Sequence, residues 1–207
     1  MVIIGKSGSG KTKLLFKLLL EGYLDFQKIV FISASLSQNE YDVIIKSLHK
    51  GLNINQVKTI FEEQISITNI DNALDIITSN DKFKQTELEV QIFNHLDLLP
   101  LPNELNPHEI NKPLVIIDDC TIINSVNPTK LFVYGRPITI NTIYLSQKYA
   151  KVPATIRENC NVFILFKQSV KTIKENIYNK IGDQFDNDKE MINFLKLILK
   201  INMILLC

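Results

Sequence analysis

The hydrophobic positions of this chain change period in a repeating order. A short apolar run at residues 2–4 ends at Gly5, and Leu and Phe then recur at helical spacing over residues 11–21. After a turn around Gly22 and Asp25, the run Ile29-Val30-Phe31-Ile32 predicts a second strand, which completes a strand–helix–strand unit. Residues 39–49 read as a helix and residues 57–68 as mixed. Within residues 86–99 the positions Leu88, Val90, Ile92, Phe93 and Leu96 predict an amphipathic helix. Pro100, Pro102, Pro107 and Pro113 punctuate a surface loop. The unbroken apolar run at residues 114–117, closed by Asp118-Asp119, has the form of a strand buried on both faces of a parallel sheet. Residues 141–145 and 162–166 give two further strands, and residues 170–181 and 189–206 read as helices. This alternation predicts an α/β fold with a mostly parallel central sheet flanked by helices. We expect a single domain over residues 1–207, in which 187–207 form a C-terminal helical extension.

Composition narrows the classes. The chain has 207 residues, 45% hydrophobic and 22% charged, which suits one domain with a sizeable core. Its 23 Lys+Arg against 22 Asp+Glu leave a net charge of +1, so any nucleic-acid contact must be local rather than the work of a global basic field. Cys120, Cys160 and Cys207 are too widely spaced for a zinc site or a disulfide framework, which points to a reducing compartment. The Gly-rich motif starts too early to leave room for a signal peptide, and the apolar tract at residues 194–207 is too short and too often interrupted to span a membrane.

The chemistry begins at Gly5-Lys6-Ser7-Gly8-Ser9-Gly10-Lys11-Thr12, a full match to the phosphate-binding P-loop between a strand and a helix. Its backbone N–H groups and the N-terminal dipole of the following helix suit phosphate oxygens. Lys11 is expected at the β- and γ-phosphates of ATP, and Thr12 at Mg²⁺. Asp118 supplies the metal-side acid at the end of another strand. Asp119 follows as the candidate that activates the attacking water, with a helix cap as its second reading. Gln147 ends the apolar strand before it; were that strand to lie between those of the P-loop and Asp118, its amide would be aimed at the γ-phosphate.

Arg136 and Arg157 are the only arginines, the other 21 basic residues being lysines. A guanidinium fork on a transferring phosphate is not replaceable by lysine, so each is a candidate finger. A surface ion pair for Arg136, and helix packing or an ion pair for Arg157, stay open beside that role. Lys148, Lys151, Lys167, Lys171 and Lys174 are candidate DNA contacts, or simply a solvated face.

The P-loop, the run Leu114-Val115-Ile116-Ile117-Asp118-Asp119, Gly135-Arg136-Pro137 ahead of Ile143-Tyr144-Leu145-Ser146-Gln147, and Pro153-Ala154-Thr155-Ile156-Arg157-Glu158-Asn159 ahead of Phe163-Ile164-Leu165-Phe166 form a series. It resembles the poxvirus-type genome-packaging ATPases of the FtsK/HerA superfamily, over residues 1 to about 170, with the segment from Asp118 to Phe166 the more specific part. The resemblance implies a RecA-like P-loop NTPase of the ASCE type, from a virophage or giant-virus-like source. It implies an ATPase that uses ATP and Mg²⁺ to drive double-stranded DNA into a capsid. A homo-oligomeric ring of five or six subunits, a capsid vertex or portal partner, no membrane partner, and work in the host cytoplasm, in a viral factory or in association with the virion follow from the same resemblance. By it, Arg136 completes a neighbouring subunit's site. Asp119 stands where cellular members carry Glu, and Pro137 where relatives often carry His. A nucleotide switch or partition-type ATPase, and a small-molecule kinase, are the competing readings of the P-loop; the scarcity of arginine counts against the kinase.

Overall fold

Val2–Ile4 forms the buried strand β1, and Lys11–Leu20 the helix α1 that follows the Gly-rich loop. The computed structural model describes residues 1–33, 39–62, 70–79, 88–108, 112–118, 126–166 and 203–206. Next come β2 (Lys28–Ser33), α2 (Asn39–His49), α3 (Ile54–Glu62), α4 (Ile70–Thr78) and β3 (Glu89–Phe93). The short helix α5 (Pro102–Leu105) lies inside the proline-punctuated connection, ahead of β4 (Pro113–Asp118) and α6 (Asn127–Tyr134). Then β5 (Asn141–Ser146), α7 (Ala154–Glu158), β6 (Phe163–Phe166) and β7 (Met203–Leu206) complete the described elements.

Among the described residues seven strands make one sheet in the order β3-β2-β4-β5-β1-β6-β7. All neighbours are parallel except β6 and β7. Because successive side chains of a strand point to opposite faces, each central strand feeds two cores. Val2, Ile4, Val30, Ile32, Val115 and Ile117 pack on the face that carries α6 and α7. Ile3, Ile29, Phe31, Leu114, Ile116 and Ile143 pack on the face that carries α1 to α4. This explains the unbroken apolar runs: a strand with no solvent face has no position for a polar residue.

Two expectations are corrected. In place of the amphipathic helix expected within residues 86–99, Glu89–Phe93 is a strand parallel to β2, with Ile29 opposite Val90 and Phe31 opposite Ile92. Leu88, Ile92 and Leu96 satisfy a helical spacing, while Leu88, Val90 and Ile92 satisfy the strand period equally well. The hydrogen-bonding edge offered by β2 decides between them. Likewise, in the expected C-terminal helix, Met203–Leu206 is a strand antiparallel to β6, with Phe163 opposite Leu206. A four-residue apolar run carries no periodicity that separates helix from strand. The remainder of that segment, the helix expected at residues 170–181, and residues 63–68 of the mixed segment lie outside the described residues. The strand order places β5 between β4 and β1, the RecA-like ASCE arrangement of a P-loop NTPase, so the expected fold class is borne out.

Candidate active site

Gly5 leaves β1 at the C-terminal edge of the sheet, where its N–H donates to Ser146 O at 3.0 Å. The loop then turns through Gly8 (φ 71°) and Gly10 (φ 96°), left-handed conformations open to glycine at little cost. Gly5 is constrained by space instead. A methyl group there would stand 2.3 Å from Ser9 Oγ and 2.8 Å from Phe166 Cβ. Lys11, only 9% exposed, folds its ammonium back into the loop and donates to Gly5 O at 2.8 Å and Lys6 O at 3.2 Å. Thr12 follows it in the first turn of α1.

Asp118 ends β4 at the same edge of the sheet, in register with Leu145 of β5 and Ser33 of β2. Since Ser146 pairs with Ile4, the acid and the start of the P-loop flank the tip of β5 from either side. Gln147 is the first residue beyond that tip. The Ser146 hydroxyl donates to Lys148 O at 3.0 Å, which closes the turn that presents Gln147 beside Gly5. The condition set for Gln147, a strand between those of the P-loop and the acid, is therefore met. Asp119 lies outside the described residues.

Sequence reading missed Tyr41. This α2 residue is 1% exposed and donates its hydroxyl to Asp118 Oδ2 at 2.6 Å. Its ring meets Phe16 of α1 and Phe31 of β2 edge-on, at centroid distances of 5.1 and 6.0 Å. In the sequence it reads only as a core position of an amphipathic helix; the partner is 77 residues away. α2 is itself tied to α4 through Lys46 to Asp71 at 3.0 Å, and the turn just past it through Lys50 to Asp75 at 2.9 Å. The Asp71 hydrogen bond, with a second from Asp42, raises the Lys46 ammonium above the ordinary lysine value.

The arginines separate. Arg136 is exposed and opens a 3₁₀ turn, Arg136–Ile138, at the opposite end of the sheet from the P-loop. There it lines a cleft with Tyr23, Asp25, Lys112 and Asn141. From Asn141 to Ser146 the strand rises about 17 Å at roughly 3.3 Å per residue, so Arg136 is far from its own phosphate loop. Its turn closes through Thr139, a non-glycine residue at φ 62°, and buried Asn106 holds it by donating to Ile138 O at 2.8 Å and Thr139 Oγ1 at 3.1 Å. Arg157 stacks its guanidinium 4.8 Å from the centroid of the Tyr149 ring, which packs against Phe163. That contact is worth roughly 0.5–2 kcal/mol and favours the packing role over the finger. Lys148 and Lys151 are exposed just past the tip of β5, whereas Lys167, Lys171 and Lys174 lie outside the described residues.

A magnesium nucleotide fits this edge on structural grounds. The loop leaves no room for a side chain on Gly5, Lys11 points into it, and Ser9 Oγ is buried without a hydrogen-bond partner among the described residues. Thr12 and Asp118 supply the hard oxygen donors that Mg²⁺ takes.

The crystal structure of B204, the DNA-packaging ATPase from Sulfolobus turreted icosahedral virus, is similar at 17% identity and a TM-score of 0.51, covering 88% of this chain and 84% of that one. It bears on the fold. B204 from Sulfolobus turreted icosahedral virus 2, a genome packaging NTPase in complex with ATP-gammaS, aligns at 13% identity and a TM-score of 0.48 over 90% of this chain and 85% of that one. VirB4 of Thermoanaerobacter pseudethanolicus aligns at 10% identity and a TM-score of 0.44 over 97% and 83%. No curated protein matches the sequence. Among the described residues no helix is long and apolar enough to cross a membrane. The family model described as Poxvirus A32 protein matches residues 1–96, the segment from the P-loop strand to β3, and not the segment from Asp118 onward that carried the more specific part of the resemblance. The poxvirus-type resemblance of the motif series is thus borne out over the P-loop half of the chain, by a match to the Poxvirus A32 protein family.

Proposed function

We propose that this chain is one subunit of an ATP-hydrolysing motor that moves double-stranded DNA into a viral capsid. The observation that carries the reading is the insertion of β5 between β1 and β4, which brings Gln147, Lys11 and Asp118 to one edge while Arg136 stands at the other. The match to the Poxvirus A32 family supports it, as does the likeness to a fold found in a viral DNA-packaging ATPase. In this reading the P-loop amides and Lys11 hold the β- and γ-phosphates. Thr12 and Asp118 hold Mg²⁺, which neutralises charge developing on the phosphate oxygens. Gln147 orients the attacking water, and Asp119 accepts its proton.

Arg136, about 17 Å from its own loop by the strand rise, acts on a neighbour's nucleotide in a homo-oligomeric ring of five or six subunits. The ring works at a capsid vertex in the host cytoplasm or a viral factory. With a net charge of +1 the subunit is suited to grip duplex DNA by local phosphate contacts, Lys148 and Lys151 among them, without sequence preference. Residues 1–207 act as one domain. The experiment is to measure ATP turnover with duplexes of unrelated sequence across a salt series. Turnover rises with every duplex at low salt, and the rise fades as salt increases. Turnover indifferent to duplex DNA in assembled protein would favour a nucleotide switch.

A further inference from the structure

We infer that Tyr41 is a positioning residue for the magnesium site, acting through Asp118; the inference rests on the reading of Asp118 as the metal-side acid. The hydroxyl of Tyr41 donates to Asp118 Oδ2 at 2.6 Å in a buried setting, within the roughly 2.5–2.7 Å of a charge-assisted bond between a hydroxyl and a carboxylate. A buried phenol oxygen needs a partner, and here its hydroxyl meets the acid itself.

The ring has little freedom to move away. Phe16 meets it at an interplanar angle of 80° and Phe31 at 81°, so the hydroxyl is held by contacts from α1 and β2 together. Phe16 belongs to the helix that begins at Lys11 and Thr12, and Phe31 belongs to the strand whose Ser33 pairs with Asp118. The aromatic cluster therefore joins the two halves of the metal site, Thr12 on α1 and Asp118 on β4, through a side chain that belongs to neither element. Tyr41 fixes the plane of the carboxylate, while the edge contacts fix Tyr41. A carboxylate that rotates freely must be ordered when metal binds; one already held does not incur that cost.

The test uses the full chain and a fluorescent non-hydrolysable ATP analogue, titrated with Mg²⁺ and separately measured in EDTA. Tyr41→Phe keeps the ring and its edge contacts and removes only the hydroxyl. It is expected to leave binding in EDTA unchanged and to raise the Mg²⁺ concentration at half-saturation about tenfold, toward the low end of what a hydrogen bond to a charged group contributes. Asp118→Asn raises it at least as far, and the double variant adds little, since the two groups act as one unit. A Tyr41→Phe midpoint within twofold of the wild type, beside a shifted Asp118→Asn midpoint, would give Tyr41 a packing role only and overturn the inference. An unshifted Asp118→Asn midpoint would overturn the metal-side reading of Asp118 first. Where Tyr41→Phe does not fold, wild-type chain carrying 3-fluorotyrosine gives the second measurement. The ¹⁹F signal of Tyr41 shifts on adding Mg²⁺ to the nucleotide-bound protein; no shift overturns the inference.

Discussion

Replacing Gly5 with alanine places a methyl group 2.3 Å from Ser9 Oγ and 2.8 Å from Phe166 Cβ. Ordinary contact begins near 3.4 Å, so the serine must yield about 1 Å and the phenylalanine a little over half that. Ser9 can rotate its hydroxyl aside, but the Cβ of Phe166 is fixed to the backbone of β6, which pairs with β1 on one side and β7 on the other. Overpacking of this kind costs roughly 1–3 kcal/mol. At about 2–4 °C per kcal/mol for a chain of this size, Gly5→Ala is expected to lower the melting temperature by about 2–12 °C. It should also weaken binding of an ATP analogue, because the displaced atoms form the floor of the loop. Gly8 provides the contrast. A methyl group there meets nothing within 4 Å, but φ is 71°, so Gly8→Ala costs only the left-handed backbone penalty of roughly 1 kcal/mol. Adding Ser9→Ala to Gly5→Ala should recover less than half of the loss, since the Phe166 contact remains. Thermal melts of the four proteins, with and without nucleotide, decide the matter. A Gly5→Ala protein that melts like the wild type, or one more stable than Gly8→Ala, would refute the steric account.

Binding and chemistry should separate: Lys11→Ala abolishes nucleotide binding in an equilibrium titration, whereas Asp119→Asn retains ATP and stops turnover, and wild-type turnover by Asp119→Asn would return that residue to a capping role. Arg136→Ala and Lys11→Ala subunits, each inactive alone, should regain turnover when mixed into one ring, because an intact loop then meets an intact neighbouring arginine; full activity of Arg136→Ala alone would remove the finger. Asn106→Leu takes the donor from Ile138 O and Thr139 Oγ1 and should cost about 1–3 kcal/mol in chemical denaturation, with unchanged stability showing that the turn at Arg136 holds itself.

What the sequence made legible was whatever depends on neighbours in the chain. The P-loop declares itself because one local segment contains the strand, the glycines and the helix start. The buried run ending at Asp118 declares itself because a strand covered on both faces admits no polar residue. Gln147 could be placed only conditionally, since its role needs β5 to pair with both β1 and β4, and pairing between distant strands leaves no mark in a local window. β3 was misread because Leu88, Ile92 and Leu96 fit the helical period as well as the strand period. Met203–Leu206 was misread because four apolar residues fit either state. Tyr41 was invisible for a further reason: its function is a hydrogen bond to a residue 77 positions away, and nothing near it in sequence distinguishes a tyrosine with a catalytic-site partner from one that fills a core.

The pairing of β1 also governs how the protein is made. Among the described residues the strand that launches the P-loop pairs with β5 and β6, whose facing residues are about 140 and 160 positions downstream. During synthesis at about 5–20 residues per second, Val2, Ile3 and Ile4 emerge roughly 8 to 30 s before their last parallel partner exists. β2 and β4, separated by only about 85 residues, can meet sooner and form a partial sheet with an open edge where β5 and β1 will insert. The phosphate loop, translated well ahead of the strands that flank it, is thus among the last parts to take shape. A ribosome-bound chain stalled before Phe163 would carry the whole P-loop sequence and yet lack the strand that presses Phe166 against it.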